Sequence, residues 1–477
     1  MLTIKRPIIK RTATTGAAVL LLTASAVLGA PAAVYGATAG PTGLELAKLV
    51  PTSTDVSAPG ITRTTYSART GGPWNVNVVV IDPDLAPLTL KGTFGTALAT
   101  SQTSSSMLKD VSTTTVRRPR VGINGAFFDG NVTNPANGTH DGDPSGIVVR
   151  GGKLLSEAAK GKGSKPVGSA LVLQHGRARI AELSTTLKVQ PKNGPLKQRQ
   201  LDGINRVPGR NAHCEGPDPI DKEETFDKDG VCRDLSEIVS FTPEYAGATP
   251  TTAFLASSND PDNPSVGGVI STDEGIEVLL DSGNKVTECY EPAPAKGSTC
   301  KIGNRGGRNV PSGGRILQGT GDGTTWLRDN APVGAELEFP ETVFDTRIAD
   351  TLTLDPSMYV TPGGDLLLKN GKIDYKQPAA GSPDPNPRTA VASDATGRIM
   401  LVTVDGDDAT VSKGATRLEL ATLLKDLGAV DALNMDGGGS TTLVWQNTVV
   451  NHPSDGNEQE RPVADTVFAG VGGYPLA

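Results

Sequence analysis

The chain has 477 residues, a formal net charge of −7 and a hydrophobic fraction of 36%, with 57 glycines, 35 prolines and only 4% aromatic residues. This length allows one large domain or two to three smaller ones, and the many turn-forming residues favour short strands over a helical bundle. An acidic chain without a basic cluster argues against nucleic-acid binding.

Residues 1–38 differ in composition from the rest of the chain. Basic residues between Lys5 and Arg11 precede an apolar run at 16–30, which is short for a membrane span, and no acidic residue occurs in this segment. The pattern predicts a secretory signal peptide cleaved within residues 30–40, with an uncleaved N-terminal anchor as the alternative. No later stretch is long and apolar enough to cross a bilayer. We therefore expect a secreted, extracellular protein that could associate with a cell wall.

The next segments predict a linker followed by strands. Residues 39–60 are rich in Pro, Thr and Ser and are typical of a linker, so we place the folded domain at 61–477. The run WNVNVVVIDP (74–83) predicts a strand, and LTLKGTF (88–94) predicts the strand that pairs with it. Residues 101–116 are rich in Ser and Thr and could contain a short helix.

The middle of the chain, about 190–345, combines strand signals with long polar loops, which is typical of an insertion-rich region. Its loops contain all four cysteines of the chain, which are Cys214, Cys232, Cys289 and Cys300. In an exported protein an even number of cysteines predicts two disulfides, and we favour sequence neighbours among the three pairings that are open. A metal site is less well supported, because the cysteines lack C-x-x-C spacing and only His213 lies nearby.

The last hundred residues have the clearest pattern. The helix there begins with a capping box formed by Thr416 and Glu419, and leucines recur along it at helical spacing. Because strands dominate the whole chain, we predict the α+β class, with mixed or antiparallel sheets, few helices and long disulfide-pinned loops in the middle. The predicted elements, in order, are strands at 388–394 and 398–406, a helix at 416–428, a strand at 430–435 and a hairpin turning at Gln446.

A glycine triplet separates the last of these strands from the hairpin. Residues 436–441 read Asp-Gly-Gly-Gly-Ser-Thr, with neither the lysine nor the helix of a nucleotide-binding phosphate loop. Successive free N–H groups in such a turn can form an anion-binding concavity, and Ser440 and Thr441 would add hydroxyl donors. Asn434 and Asp436, two residues apart on a strand, would face the same side. The alternative is a purely structural turn.

Further polar residues lie at strand ends. A guanidinium binds carboxylate or phosphate through two parallel hydrogen bonds, and a surface ion pair is the alternative for an arginine so placed. Clustered carboxylates could bind a divalent cation, Ca²⁺ or Mg²⁺, or form a solvated turn, and no other cofactor is suggested. The residues concerned are Asn124 and Asp129 in GINGAFFDG, Arg388 at a strand start, Arg461 before the last strand, and Asp405, Asp407 and Asp408 in VDGDD.

Five segments of the chain, taken in sequence order, resemble segments of the phosphodiester glycosidase family. The resemblance covers roughly 61–477, most closely at both ends and loosely through 190–380. Two departures concern the edge of the expected pocket: Asp407 stands where bacterial members often have a basic residue, and the helix opens with GATR (414–417) instead of Gly-Met-Thr-Leu. The matching segments are GINGAFFD, DPSGIVVRGGKLL, NPRTAVASDATGRIMLVTVDG, TRLELATLLKDLGAVDALNMDGGGSTTLV and NHPSDGNEQERPVADTV.

The resemblance implies hydrolysis of a sugar-1-phosphodiester, such as one of N-acetylglucosamine, at the glycosidic C–O bond. It implies Asp436, Asp129 and Arg388 as catalytic residues, with either carboxylate as the nucleophile or as the base that activates water. Arg388 and Arg461 would hold the phosphate together with the triplet amides, and Asp405 would be a third carboxylate or a metal ligand. The substrate would be a phosphorylated glycan or a teichoic-acid-like polymer. The implied substrate-binding residues are Asn124, Gly125, Asn434, Gly437, Gly438, Gly439, Ser440, Thr441 and Arg461.

Two other functions compete with this one. A carbohydrate- or wall-binding protein could keep the fold without catalysis, although such modules more often expose aromatic platforms than three tryptophans allow. A phosphodiesterase would instead cleave the P–O bond. The joint presence of Arg388, Asp436 and Arg461 with the glycine triplet favours the glycosidase.

Overall fold

Strands dominate the computed structural model of the protein. Its described residues are 43–68, 70–85, 88–98, 100–114, 119–128, 144–158, 167–194, 197–208, 225–226, 232–233, 236–251, 253–254, 269–270, 275–376, 385–456 and 459–471. The helices in these ranges are α1 (Ser104–Thr114), α2 (Gly321–Asn330) and α3 (Arg417–Asp426). None of the three is long and apolar enough to cross a bilayer.

The strands are numbered in chain order. The first are β1 (Leu49–Ala58), β2 (Ile61–Ala68), β3 (Asn75–Ile81), β4 (Leu88–Thr93), β5 (Pro119–Asn124), β6 (Val148–Arg150), β7 (Lys153–Ser156), β8 (Gly168–Gln174), β9 (Arg177–Pro191), β10 (Arg199–Gln200) and β11 (Gly203–Ile204). The middle ones are β12 (Thr225–Phe226), β13 (Cys232–Arg233), β14 (Ile238–Phe241), β15 (Ala253–Phe254), β16 (Val269–Ile270), β17 (Ile276–Leu280), β18 (Val286–Glu291), β19 (Lys301–Ile302), β20 (Arg315–Gly319), β21 (Leu337–Glu338), β22 (Glu341–Asp345) and β23 (Asp350–Thr351). The last are β24 (Tyr359–Pro362), β25 (Leu366–Lys369), β26 (Lys372–Ile373), β27 (Arg388–Asp394), β28 (Ile399–Val404), β29 (Ala429–Asn434), β30 (Leu443–Trp445), β31 (Thr448–Val449) and β32 (Thr466–Val471).

Two antiparallel sheets pack face to face and position the site. The eight-stranded sheet has the order β1-β2-β3-β28-β27-β29-β25-β26, and the five-stranded sheet has the order β31-β30-β5-β32-β4. Leu401 of the first and Ile123 of the second belong to one apolar cluster, while α3 covers the outer face of the larger sheet. This burial on both faces explains the unbroken apolar run in β3, because Val79 packs inward and Val78 packs towards the helix side.

Helix α3 forms as its sequence predicts. The Thr416 hydroxyl accepts the N–H of Glu419 (3.2 Å), and the Glu419 carboxylate accepts the N–H of Thr416 (2.7 Å), which completes the capping box. The other Glu419 oxygen accepts the N–H of Leu44 (3.1 Å), so the start of the described chain is held against this helix. Gly428, with φ +91°, follows the helix end in the left-handed conformation that glycine adopts without strain.

The middle of the chain forms a nine-stranded and a six-stranded sheet, with a shared apolar cluster between them. Most pairs are antiparallel, and the parallel pairs β11–β14 and β18–β19 make the six-stranded sheet mixed. Cys289 and Cys300 form a disulfide between β18 and the segment before β19, which confirms one of the two predicted bridges. The other predicted bridge involves Cys214, which lies outside the described residues.

The antiparallel and mixed sheets with few helices confirm the predicted α+β class. Two local predictions were wrong. Part of the supposed linker, residues 49–58, is strand β1, because Thr and Ser residues are compatible with an exposed edge strand that pairs along β2. Strand β4 pairs with β32 in the five-stranded sheet instead of with β3, whose neighbours are β2 and β28.

Candidate active site

The candidate site lies where the eight-stranded and five-stranded sheets meet. Backbone hydrogen bonds join four chain segments there. Asp436 N–H donates to the carbonyl of Gly125 (3.0 Å), Gly125 N–H to that of Asp465 (3.1 Å), and Met435 N–H to that of Thr389 (2.9 Å). The segments that follow β5 and β29 thereby meet the start of β27 and the segment before β32.

Asn124, the last residue of β5, joins these segments through its side chain. It is fully buried, and its amide oxygen accepts the Thr389 hydroxyl (2.9 Å) and the N–H of Thr442 (3.0 Å). Its amide nitrogen donates to the carbonyl of Asp436 (2.7 Å). Because its oxygen is already engaged twice, Asn124 is placed to hold the loop after β29 in position, and its predicted contact with a sugar hydroxyl stays a prediction.

The glycine triplet forms a tight turn whose first two amides have partners. Gly437 N–H donates to the Asp436 carboxylate (3.0 Å), and Gly438 N–H donates to the carbonyl of Pro387 (2.9 Å). Gly437 is also close-packed, since a Cβ there would lie 2.8 Å from that same carbonyl oxygen. For Gly437 and Gly438, these partners correct our interpretation of the triplet as a cradle of free amides for phosphate, and the predicted role of the Gly439 amide stays a prediction.

The third glycine makes room for an arginine. A Cβ on Gly439 would lie 2.3 Å from Nη2 of Arg461, so the guanidinium occupies the space that any side chain would need. Asp455 fixes this guanidinium through Nε (3.2 Å) and Nη2 (3.1 Å) and raises the pKa of Arg461. Arg461 is 41% exposed and therefore accessible to a ligand. By contrast, a Cβ on Gly438 would meet no atom within 4 Å, although its φ of +58° is left-handed.

Asp436 is the partly buried carboxylate at the centre of the candidate site. Burial raises its pKa to about 6, and the negative charge of Asp465 contributes to the rise. The hydrogen bond from Gly437 and the positive charge of Arg461 oppose it. A carboxylate with this pKa can exchange a proton close to neutral pH, as a catalytic acid, base or nucleophile must.

Asn434 and two hydroxyl residues lie beside Asp436. Asn434 is only 2% exposed, and its amide oxygen accepts no hydrogen bond from the part of the chain that the structure describes. A buried acceptor without a donor is costly unless a ligand or a water supplies one. Ser440 and Thr441 are equally buried, and the Thr441 hydroxyl pairs with that of Thr389 (3.3 Å).

Arg388 is the first residue of β27, and its Cα would lie 3.8 Å from a Cβ on Gly437. Its Nε donates to the carbonyl of Ala415 (2.8 Å), which orients the guanidinium across the loop before α3. Burial and the neighbouring positive charge of Arg417 lower the pKa of Arg388, and the charge of Asp407 acts in the opposite direction. Asp407 also contributes to the raised pKa of Arg461, so this exposed carboxylate lies near both arginines.

Asp405 is fully buried instead of exposed in a turn. Its Oδ2 accepts Asn75 Nδ2 (2.5 Å) and the N–H of His452 (3.0 Å), and burial raises its pKa to about 6. In the described ranges, no three His, Cys, Asp or Glu side chains come together as a metal-binding group. Its predicted role as a metal ligand stays a prediction. Asp129, the other predicted carboxylate, lies outside the described residues.

Two functional candidates escaped the motif analysis. Asp455 holds Arg461, and Asp465 is a 2% exposed carboxylate immediately before β32. The signal for Asp465 was present in the sequence, because VADTV places a lone acidic residue inside an apolar strand pattern. Asp455 had no such signal, since it lies in a polar loop with several acidic residues.

Comparison with known proteins confirms the resemblance predicted from the motifs. A family model described as phosphodiester glycosidase matches residues 295–469, the part of the chain that contains Arg388, Asp436 and Arg461. The N-acetylglucosamine-1-phosphodiester alpha-N-acetylglucosaminidase of Bos taurus is 28% identical over 188 residues, covering 34% of this chain and 34% of that protein. The chain therefore matches about a third of the length of such curated relatives.

Two solved structures have a similar fold over most of the chain. A protein from Burkholderia pseudomallei has a TM-score of 0.64 and 24% identity, covering 86% of this chain and 76% of that one. A protein from Synechocystis has a TM-score of 0.58 and 19% identity, covering 87% of this chain and 62% of that one. At these identities the likeness shows a shared fold.

Proposed function

We propose that the protein is a secreted hydrolase that cleaves a sugar-1-phosphodiester at its glycosidic C–O bond, giving free sugar and a phosphomonoester. The observation that carries this proposal is the position of Asp436, a proton-exchanging carboxylate that begins the glycine turn and is acted on by the positive charge of Arg461. The matching family model and the names of the curated relatives support the same reaction.

The two arginines would bind the phosphate. Arg461 is held in place by Asp455 and remains 41% exposed, so it can form charge-assisted hydrogen bonds without losing much side-chain freedom. Arg388 is oriented by the carbonyl of Ala415, and its backbone lies beside Gly437. Binding the phosphate with two guanidinium groups would neutralise the charge of the leaving group as the C–O bond breaks.

Asp436 would act on the sugar carbon. The departing phosphomonoester is a good leaving group once its charge is neutralised, so the reaction needs little help from a general acid. The ionised Asp436 would instead serve as the nucleophile or as the base that activates water at an oxocarbenium-like centre. Asp129 would be the second carboxylate of this reaction.

Asn434 would recognise the sugar. Its buried amide oxygen lacks a donor among the described residues, and a sugar hydroxyl or the N–H of an acetamido group would supply one. A site that leaves such an acceptor unpaired in the absence of substrate favours sugars with a donor at this position. The names of the curated relatives make N-acetylglucosamine a natural first candidate.

The substrate and the place of action follow from the same features. The basic and apolar N-terminal pattern and the Cys289–Cys300 disulfide support export, where glycans with phosphodiester links occur on cell surfaces. We therefore propose a phosphorylated glycan or a teichoic-acid-like polymer as the natural substrate.

The test is a turnover assay on residues 39–477 with a panel of sugar-1-phosphodiesters, in ¹⁸O-labelled water and with or without a chelator. We expect free sugar that carries the label. Label in the phosphate would instead show P–O cleavage by a phosphodiesterase. Binding of the same glycans by folded protein without release of sugar would make it a binding protein. Sensitivity to the chelator, together with its loss in Asp405→Asn, would support a metal at Asp405.

The pH dependence provides a second test. Because burial raises the pKa of Asp436 to about 6, the carboxyl is protonated at pH 5 and ionised at pH 7.5. If the ionised form is the base or nucleophile, kcat/KM should rise with pH and reach half its plateau near pH 6. Circular dichroism at each pH would serve as the control for folding. A rate that falls through this range would assign Asp436 the opposite role, that of a general acid.

A further inference from the structure

Asp465 is a buried carboxylate with a hydrogen-bond partner on each oxygen, and nothing in the motif analysis gives it a role. Its Oδ1 accepts the N–H of Ala126 (2.6 Å), and its Oδ2 accepts the hydroxyl of Tyr359 (3.0 Å). Its backbone carbonyl accepts the N–H of Gly125 (3.1 Å). Tyr359 belongs to β24 of the nine-stranded sheet, so Asp465 joins that sheet to the segment after β5.

One residue connects Asp465 to Asp436. Gly125 donates its N–H to Asp465 and accepts the N–H of Asp436 at its carbonyl (3.0 Å). Glycine is required here, since a Cβ would lie 2.2 Å from Oδ1 of Asp465. The close approach of this carboxylate therefore holds the backbone at Gly125 in place, and the Gly125 carbonyl in turn holds the backbone N–H of Asp436.

Two charged side chains among the described residues act on the pKa of Asp436: Arg461 lowers it and Asp465 raises it. Tyr359 donates its hydroxyl to Asp465. Burial raises the pKa of Tyr359, and the positive charge of Arg150 opposes this rise. Burial raises the pKa of Asp465, and the proximity of Asp465 adds to the burial that raises the pKa of Asp436. Buried like charges interact strongly because little water screens them.

We propose that Asp465 is a positioning residue for the reaction: it anchors the Gly125–Ala126 backbone that holds Asp436, and the two carboxylates are electrostatically coupled. The catalytic meaning of this role rests on the proposed function, but the coupling between the two carboxylates does not. The pair would set the acid limit of the pH range in which the enzyme works.

The decisive experiment is a ¹³C NMR titration of the aspartate carboxyls in the intact protein, with Asp436→Asn used to identify the Asp436 signal. In Asp465→Asn we expect the titration midpoint of Asp436 to fall, because a neighbouring negative charge is removed. The variant should fold, because the new amide can still accept from Ala126 and donate to the Tyr359 oxygen. Asp407→Asn is the matched control: it removes one exposed carboxylate near Arg461 and should leave the midpoint within about 0.2 units.

A second measurement needs no change at Asp465. In the wild-type protein, another carboxyl signal should show a step at the titration midpoint of Asp436, and Asp436→Asn should abolish this step. On an active substrate, the acid limb of kcat/KM in Asp465→Asn should shift to lower pH by the same amount as the midpoint. An unchanged Asp436 midpoint in folded Asp465→Asn would overturn the proposal. Absence of turnover with the expected NMR shifts would contradict the proposed function alone.

Discussion

Replacing Asp436 by asparagine is expected to lower kcat for sugar release by about a hundred- to ten-thousand-fold, the range that one acid–base group contributes. KM should change little, because the asparagine oxygen can still accept the N–H of Gly437 and neither arginine is altered. The measurement is steady-state kinetics on the best substrate of the panel. Asp426→Asn is the control, since it makes the same chemical change at an exposed position at the end of α3.

The same variant should be more stable than the wild type at neutral pH. The folded pKa of Asp436, about 6, exceeds its ordinary value of 3.8, so the folded chain binds the proton more tightly than the unfolded chain. Stability is therefore lost as the pH rises from about 4 to 6 and stays lost above it. Asparagine removes this cost, and we expect the free energy of unfolding at pH 7.5 to rise by about 1–3 kcal/mol. Full activity or reduced stability would contradict the assignment of Asp436.

The second prediction with a large expected effect concerns Gly439 in the glycine turn. In Gly439→Ala the new methyl group would collide with the Arg461 guanidinium and displace it from Asp455. We expect KM to rise by about ten- to a hundred-fold, the effect of losing a hydrogen-bonded charge in the binding site. Gly438→Ala is the matched control, because it adds the same methyl group where no atom lies within 4 Å. Its left-handed φ should lower stability by about 1 kcal/mol, with KM unchanged.

A double-mutant cycle would separate displacement of Arg461 from general damage to the loop. If Gly439→Ala acts only through the arginine, Arg461→Ala should raise KM to a similar extent, and the double variant should be no worse than either single one. Additive losses in the double variant would show that Gly439 serves the site by another route. A wild-type KM in Gly439→Ala would remove Arg461 from phosphate binding.

Local features of the fold were predictable where neighbouring residues decide them. Helix α3 formed as predicted, because its capping box and leucine spacing lie within one short segment. The partner of β4 could not be predicted, because the chain pairs it with β32, far away in sequence. Strand β1 was missed for a similar reason: its exposed Thr and Ser residues lack an apolar pattern, and its pairing with β2 determines its conformation.

The residues of the candidate site were likewise predictable where the local sequence marks them and not where distant contacts decide their role. The motifs indicated Asp436, Arg388 and Arg461, because unusual residue types at strand ends are visible in the sequence. The role of Gly439 was not predictable, because the side chain that needs its space belongs to Arg461, which is distant in the sequence. The sequence marks Asp465 as a lone acidic residue in an apolar pattern, but its role comes from contacts with Ala126 and Tyr359, in two distant segments of the chain.

The distribution of the site along the chain has a consequence for how the protein can be divided. Residues 295–469, which match the family model, contain β28, β30 and the first four residues of β32 but lack β3 and β5. In the intact protein β3 pairs with β28, and β5 lies between β30 and β32. A fragment of that span would expose unpaired strand edges that favour aggregation. During refolding, sugar release should recover last, because Asn124 must meet Asp436, 312 residues away.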